Sequence, residues 1–91
     1  MKFEWHGTKA AANLRKHAVS FDEAATVFAD SLSFVFPDPG HSDDEARFII
    51  IGISEAGRVL VVSLTDRGEW TRIISAREAT RKERKFYEES C

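Results

Sequence analysis

The sequence predicts an α+β fold, an antiparallel β-sheet with two N-terminal helices and a C-terminal helix, the helices packed on one face. Three observations predict it. Helical patterning is confined to the N-terminal third and to the C-terminal end. Three strand-like runs, "ARFIIIGIS", "RVLVVSL" and "WTRIIS", follow one another with only short turns between them, as in a meander. Strands grouped together, with helices segregated from them, give α+β rather than alternating α/β.

Each element has a local reason. "KFEW" alternates Phe3 and Trp5 against Lys2 and Glu4, the period of a short strand. Gly7 ends it. "TKAAANLRKH", Thr8 to His17, follows as a helix that Thr8 can cap and that alanine and leucine favour. A second helix starts at "SFDE", where Ser20 and Glu23 have capping-box spacing. Phe21, Ala24, Ala25 and Phe28 then share one helix face. The two helices join near Ala18 and Val19. "SLSFVFP", Ser31 to Pro37, puts Leu32, Phe34 and Phe36 on one side and stops at Pro37. Asp38 to Glu45 has the composition of a loop. "ARFIIIGIS" is apolar enough for a central strand. Glu55 to Gly57 turns it into "RVLVVSL", and Asp66 to Glu69 makes the next turn, with Gly68 suited to a positive φ. "TRKERKFYEES" reads as the last helix, again with capping-box spacing between Thr80 and Glu83.

A chain of 91 residues is a single domain, residues 1–91. It buries only about 60–65% of its unfolded surface, so its stability margin is thin. The one cysteine, Cys91, excludes a disulfide framework and a cysteine-based metal site within one chain. No apolar run reaches the roughly 20 residues of a membrane span, and "MKFEWHGTK" lacks the apolar core of a signal peptide. A cytoplasmic protein with no membrane partner is expected. The net charge of -2 hides an asymmetry. Asp38 to Glu45 carries four acids and no base, whereas Ala46 to Lys85 carries nine bases against five acids. Such a bias suits an anionic ligand on the basic side, or a solvated surface whose charges cluster.

Few residues are placed for metal or cofactor chemistry. His6, His17 and His41 are spread over a strand end, a helix end and a loop, without ligand spacing, so no metal is expected. No glycine-rich phosphate loop follows a strand, so no cofactor is expected. Ser54, Ser63 and Ser75 lack a nucleophile-elbow context. Phe21, Phe28, Phe34, Phe36 and Trp70 are expected in the core or an interface, with little case for base stacking.

The basic residues carry more information. In "RIISAR" strand alternation puts Arg72 with Ile74, and Ser75 with Arg77 on the opposite face. Bringing the two arginines together needs a bend, expected near Ala76. If the last helix starts early, Arg77, Arg81 and Arg84 line up along it. Arg47 and Arg58 open adjacent antiparallel strands, so they lie at opposite ends of the sheet. Arg72 falls near the Arg47 end. Bidentate arginine suits phosphate and a transition state that gains charge; each arginine can equally cap a strand or pair with an acid. Lys16 and His17 close the first helix, with Asn13 on the same face as His17. A histidine can move protons at neutral pH, or simply meet the helix dipole. Tyr87 is expected to pack.

The segments "FEW…K…NLRKH…VSFDEAATVF", "DPGHSDDEARFIIIG", "GRVLVVSLTDRG" and "RIISAREATRKERKFYE" together resemble the BrnT-type toxins of bacterial type II toxin–antitoxin modules. The resemblance runs from Phe3 to Glu88. It is most specific in "NLRKH…VSF" combined with "RIISAR…T…ER…YE". It implies a RelE-like fold and a small ribonuclease that arrests translation. It also implies a BrnA-type ribbon-helix-helix antitoxin through which the complex would bind DNA. Matching positions are Lys16, His17, Arg47, Arg58, Arg72, Ser75, Arg77, Glu83 and Tyr87. "WHGTK" departs from the acid and proline that more often follow the tryptophan. RelE-like nucleases vary in their catalytic residues, so the resemblance does not say which positions act. On this basis Lys16, His17, Arg72 and Arg77 are the catalytic candidates. Arg47, Arg58, Ser75 and Arg81 are the candidates for holding RNA phosphate. The competing expectation is an inactive or partner-dependent module that binds an antitoxin. The acidic pI, near 5.9, weighs against DNA binding by the chain alone.

Overall fold

Two neighbouring strands with unbroken apolar runs, "FIII" and "VLVV", must be covered on both faces there, and that requirement shapes the molecule. The computed structural model describes residues 1–41 and 46–90. The chain runs β1 (Lys2–Glu4), α1 (Gly7–His17), α2 (Phe21–Thr26), β2 (Phe34–Pro37), β3 (Arg47–Ile53), β4 (Val59–Arg67), β5 (Trp70–Glu78) and α3 (Arg81–Glu89). A single 3₁₀ turn, Val27–Ala29, prolongs α2, and another, Pro39–His41, follows β2. Residues 42–45 of the acidic loop, like Cys91, lie outside the described residues.

The five strands form one sheet in the order β1-β5-β4-β3-β2. The sheet is mixed rather than wholly antiparallel, because β1 pairs parallel with β5. The helices also differ from expectation: α1 and α2 cover one face and α3 the other. Ile50, Leu60, Val62, Leu64, Ile73 and Ala76 meet Val19, Phe21, Ala24 and Val27 in the larger core. Ile51, Val59 and Val61 meet Ala79 and Tyr87 in the smaller one. Side chains such as Phe21, Leu60 and Ile73 are fully buried, each contributing about 1.5–3 kcal/mol of hydrophobic stabilisation. "FIII" and "VLVV" therefore signal two covered faces.

Element boundaries moved where packing outweighed local preference. α1 starts at Gly7, and its N-cap is His6, which makes no side-chain cap bond, so Thr8 does not cap it. Trp5 packs edge-on against Phe21 at 5.9 Å, which pins the chain where the helix begins. Ala18 ends α1 in the left-handed region at φ 57° and redirects the chain into α2. Ser20 does cap α2 by accepting from the Glu23 amide. β2 is shorter than "SLSFVFP", and Leu32 lies exposed before it. β5 is longer than "WTRIIS": Arg77 and Glu78 pair with Val61 and Leu60 along the full length of β4. Arg77 is thus a strand residue and does not share a helix face with Arg81. Thr80 and Glu83 form the expected reciprocal cap of α3. Gly57 and Gly68 take positive φ of 86° and 75° in the two hairpin turns.

Candidate active site

Residues paired across neighbouring strands point to the same face, so the register defines the rows of the sheet. One row runs Arg47, Thr65, Arg72 and Glu4 across β3, β4, β5 and β1. The next runs Ile49, Ser63 and Ser75, and the third Ile51, Val61 and Arg77. All belong to the face that carries α3. The C-terminal helix packs on the third row, where Tyr87 covers Ile51, Val59 and Val61. The hydroxyls and arginines of the first two rows lie beyond that cluster.

Strict alternation puts Arg72 and Arg77 on opposite faces. A β-bulge changes this. Ser63 pairs with Ser75 but Leu64 pairs with Ile73, so Ile74 is an extra residue without a partner. The extra residue reverses the alternation and brings Arg72, Ser75 and Arg77 to one face. The bend expected near Ala76 is not there, since Ala76 pairs regularly with Val62; the bulge at Ile74 takes its place.

Lys16 and His17 reach β5 from its open edge. β1 pairs only as far as Arg72, and beyond it α1 takes its place. Asn13 is buried and closes the strand edge: its Nδ2 donates to the carbonyls of Ala76 at 2.8 Å and Val19 at 2.9 Å. Its Oδ1 accepts from the Ala76 amide at 3.1 Å. One turn on, Lys16 and His17 border a depression of about 230 Å³ together with Lys9, Ile74 and Ser75. Ser75 therefore borders both this depression and the arginine rows.

The arginines are in different states of engagement. Arg72 donates from Nε to Glu4 Oε2 at 2.9 Å, and among the described residues its two Nη groups have no hydrogen-bond partner. Arg67 meets the same Glu4 oxygen at 3.5 Å. Arg77 forms a two-pronged pair with Glu83, at 2.7 and 2.9 Å. That guanidinium, together with the Thr80 backbone, holds the Glu83 carboxyl down to about 2, and the same pair raises the pKa of Arg77. Arg58 has a structural post. It donates to Glu23 through Nε and Nη2, to Glu78 through Nη1 at 2.9 Å and to the Ala18 carbonyl at 3.0 Å. These contacts tie the α1–α2 junction to the ends of β4 and β5, at the far end of the sheet from Arg47. The Arg58 guanidinium lowers the pKa of Glu23 against the opposing pull of burial. Arg47 is half-buried at the start of β3, and Arg81 is exposed on the first turn of α3.

Three residues here escaped sequence reasoning. Thr65 stands between Arg47 and Arg72, is 2% exposed, and has a hydroxyl without a partner among the described residues. Glu4 holds Arg72. Trp70, expected in the core or an interface, is 42% exposed on the arginine face, because it lies at the end of β5 beyond the reach of α3. A signal for the face exists in the sequence: along Val59, Val61, Ser63 and Thr65, alternate residues change from apolar to hydroxyl-bearing where α3 stops.

The described residues include no helix long and apolar enough to cross a membrane. No curated protein matches the sequence significantly. The fold is similar to the crystal structure of the Brucella abortus ribonuclease toxin BrnT, with a TM-score of 0.70 and 24% identity. The match covers 89% of this chain and 99% of that one. The family model described as the ribonuclease toxin BrnT of type II toxin–antitoxin systems matches residues 5–83. That span takes in α1, the whole antiparallel part of the sheet and the start of α3, and the chain belongs to this family of ribonuclease toxins.

Proposed function

We propose that the protein is a metal-independent endoribonuclease whose RNA cleavage arrests translation, and that a BrnA-type antitoxin silences it. The observation that carries this reading is the row Arg47–Thr65–Arg72 on the α3 face, with Ser75, Lys16 and His17 beside it. RNA supplies its own nucleophile. A base removes the 2′-hydroxyl proton, the oxygen attacks the adjacent phosphorus, and the bond to the 5′-oxygen breaks as an acid protonates it. The products are a 2′,3′-cyclic phosphate and a 5′-hydroxyl. The protein must position the backbone, move two protons and stabilise the added negative charge.

In this reading Arg72, with Arg47, holds the scissile phosphate, since the Nη fork of Arg72 matches two phosphate oxygens. His17 and Lys16 handle the protons from the α1 side, and Ser75 lies between the two groups. Arg77 joins when phosphate replaces Glu83 as its partner. Arg81 extends the cationic surface toward flanking phosphates. Arg58 is left out, because protein acceptors already hold it. The antitoxin covers the same face, and the DNA of the operon is met only through that complex.

A second reading has one observation in its favour. Both Nη groups of Arg77 are held by Glu83, as suits a folded module that binds an antitoxin without cleaving RNA. Inducing the chain in bacteria, beside Arg72→Ala and His17→Ala at matched soluble levels, separates the two. Growth arrest with RNA cleavage, lost in both variants, is the expected result. Normal growth and intact RNA with folded wild-type protein would establish the second reading.

A further inference from the structure

Trp70 is a large aromatic residue that the fold does not bury. Its register partners are Arg67 on β4 and Lys2 on β1, so it shares the α3 face with Arg72, two positions along the strand. Arg67 and Arg72 both reach Glu4 from this face, which fixes the orientation independently of the alternation. The Lys2 ammonium lies 5.6 Å from the ring centroid. Among the described residues the one ion pair of Lys2 is a 3.9 Å contact to Glu69, and both side chains are largely exposed, at 61% and 84%. Exposed pairs of this kind stabilise little, so a ligand displaces them at small cost.

We infer that Trp70 is the platform on which a base of single-stranded RNA stacks when its phosphate is held at Arg72. The inference rests on the ribonuclease reading and names how that site grips its substrate. Residues two apart on one strand face are roughly 6.6–6.8 Å apart, a span that one nucleotide covers from phosphate to base. An aromatic ring flanked by Lys2, Arg67 and Arg72 is the combination that binds single strands: cations follow the backbone, and any base can use the ring. Stacking is tolerant of base identity, so Trp70 contributes grip more than sequence choice. A protein partner fits the position less well, since interface anchors sit at apolar, desolvated centres. Here the ring is bordered by charge.

The test uses a short single-stranded RNA carrying 2′-O-methyl groups throughout, which cannot supply the attacking hydroxyl. Binding is followed by anisotropy of a labelled strand for wild type, Trp70→Phe and Trp70→Ala, with thermal melts of each. The exposed position predicts near-wild-type melting. Trp70→Ala is expected to weaken binding about 5- to 150-fold, with Trp70→Phe much closer to wild type. Intrinsic fluorescence should quench in wild type and barely change in Trp70→Phe, whose remaining Trp5 is half-buried against the core on the other face of the sheet. Equal binding by wild type and Trp70→Ala would overturn the inference, as would a loss confined to antitoxin binding. So would failure of wild type to bind the strand. Cleavage of unmodified RNA is scored separately. Trp70-dependent binding without cleavage keeps the stacking platform and removes the nuclease reading.

Discussion

Thr65 spends stability on a hydroxyl that the folded protein does not use. It is 2% exposed and its Oγ1 has no partner among the described residues. An unsatisfied buried polar group costs about 1–3 kcal/mol, and valine has nearly the same shape and suits a strand. Thr65→Val is therefore expected to raise stability by about 1 kcal/mol, a gain of roughly 4–8 °C in Tm for a domain this size. A melt at or below wild type would show that the hydroxyl has a partner. Arg58 is the opposite case. Arg58→Ala strands Glu23, which is mostly buried, and frees Glu78 and the Ala18 carbonyl. Denaturant unfolding should show a loss of about 2–3 kcal/mol. Glu83 sets a pH limit. Its pKa falls from 4.5 to about 2 on folding, chiefly through Arg77, so its stabilisation is complete above 4.5 and is lost as pH falls toward 2. Asp30 acts in the same direction: burial opposes its ionisation, but hydrogen bonds from Tyr87, Ile53 and Leu32 outweigh it. In Glu83→Gln the decline in Tm between about pH 4.5 and 2 should be shallower than in wild type. The arginines and His17 were legible as residue types in the sequence. Their partners were not, because Glu4, Glu23 and Glu83 lie up to 68 residues away from the arginines they hold.

Between α1 and β5 the hydrogen bonding is concentrated in one side chain, Asn13, rather than in a ladder. Asn13 donates to and accepts from the Ala76 backbone in place of the strand that β1 is too short to supply, and donates a third bond to the Val19 carbonyl. Asn13→Ala leaves the Ala76 amide and carbonyl without those partners, and a loss of about 2–4 kcal/mol is expected in chemical unfolding. Because Asn13 also fixes the last turn of α1, RNA cleavage should fall further than the folded fraction does. Cleavage that tracks the folded fraction alone would mean that Lys16 and His17 do not act from this helix. The elements were mostly visible in advance, through alternation in "KFEW", the caps at Ser20 and Thr80, and glycines in the hairpin turns. Their arrangement was less so. The bulge at Ile74 has no glycine or proline to announce it, and "RIISAR" reads as plain alternation. The parallel β1–β5 pair is a long-range choice that no local preference encodes. The two-sided helix cover was not expected either, although the unbroken apolar runs "FIII" and "VLVV" carry its signal.

The whole molecule is a sheet with one face backed by α1 and α2 except around Val35, Phe48 and Leu64, and the other covered by α3 over only part of its area. That asymmetry follows from chain length: nine residues of α3 span about 13 Å and pack on the row of Ile51, Val61 and Arg77. The rows beyond it carry Arg47, Thr65, Arg72, Ser63 and Ser75, with Ile49 packed against the edge of the α3 cluster. The bulge gathers the arginines there, and α1 brings Lys16 and His17 to its rim. Residues 46–85 carry the basic bias, and among the described residues Arg58, Arg67, Arg72 and Arg77 are tied to carboxylates. The most direct test is cleavage of a single-stranded RNA by purified protein, comparing wild type with Arg72→Ala after confirming equal melting. Wild type is expected to leave 2′,3′-cyclic phosphate ends, and Arg72→Ala to lower kcat/KM by about 100- to 1,000-fold, as for loss of one transition-state donor. An Arg72→Ala protein that cleaves within a few-fold of wild type would contradict that expectation, and would move the phosphate away from this row.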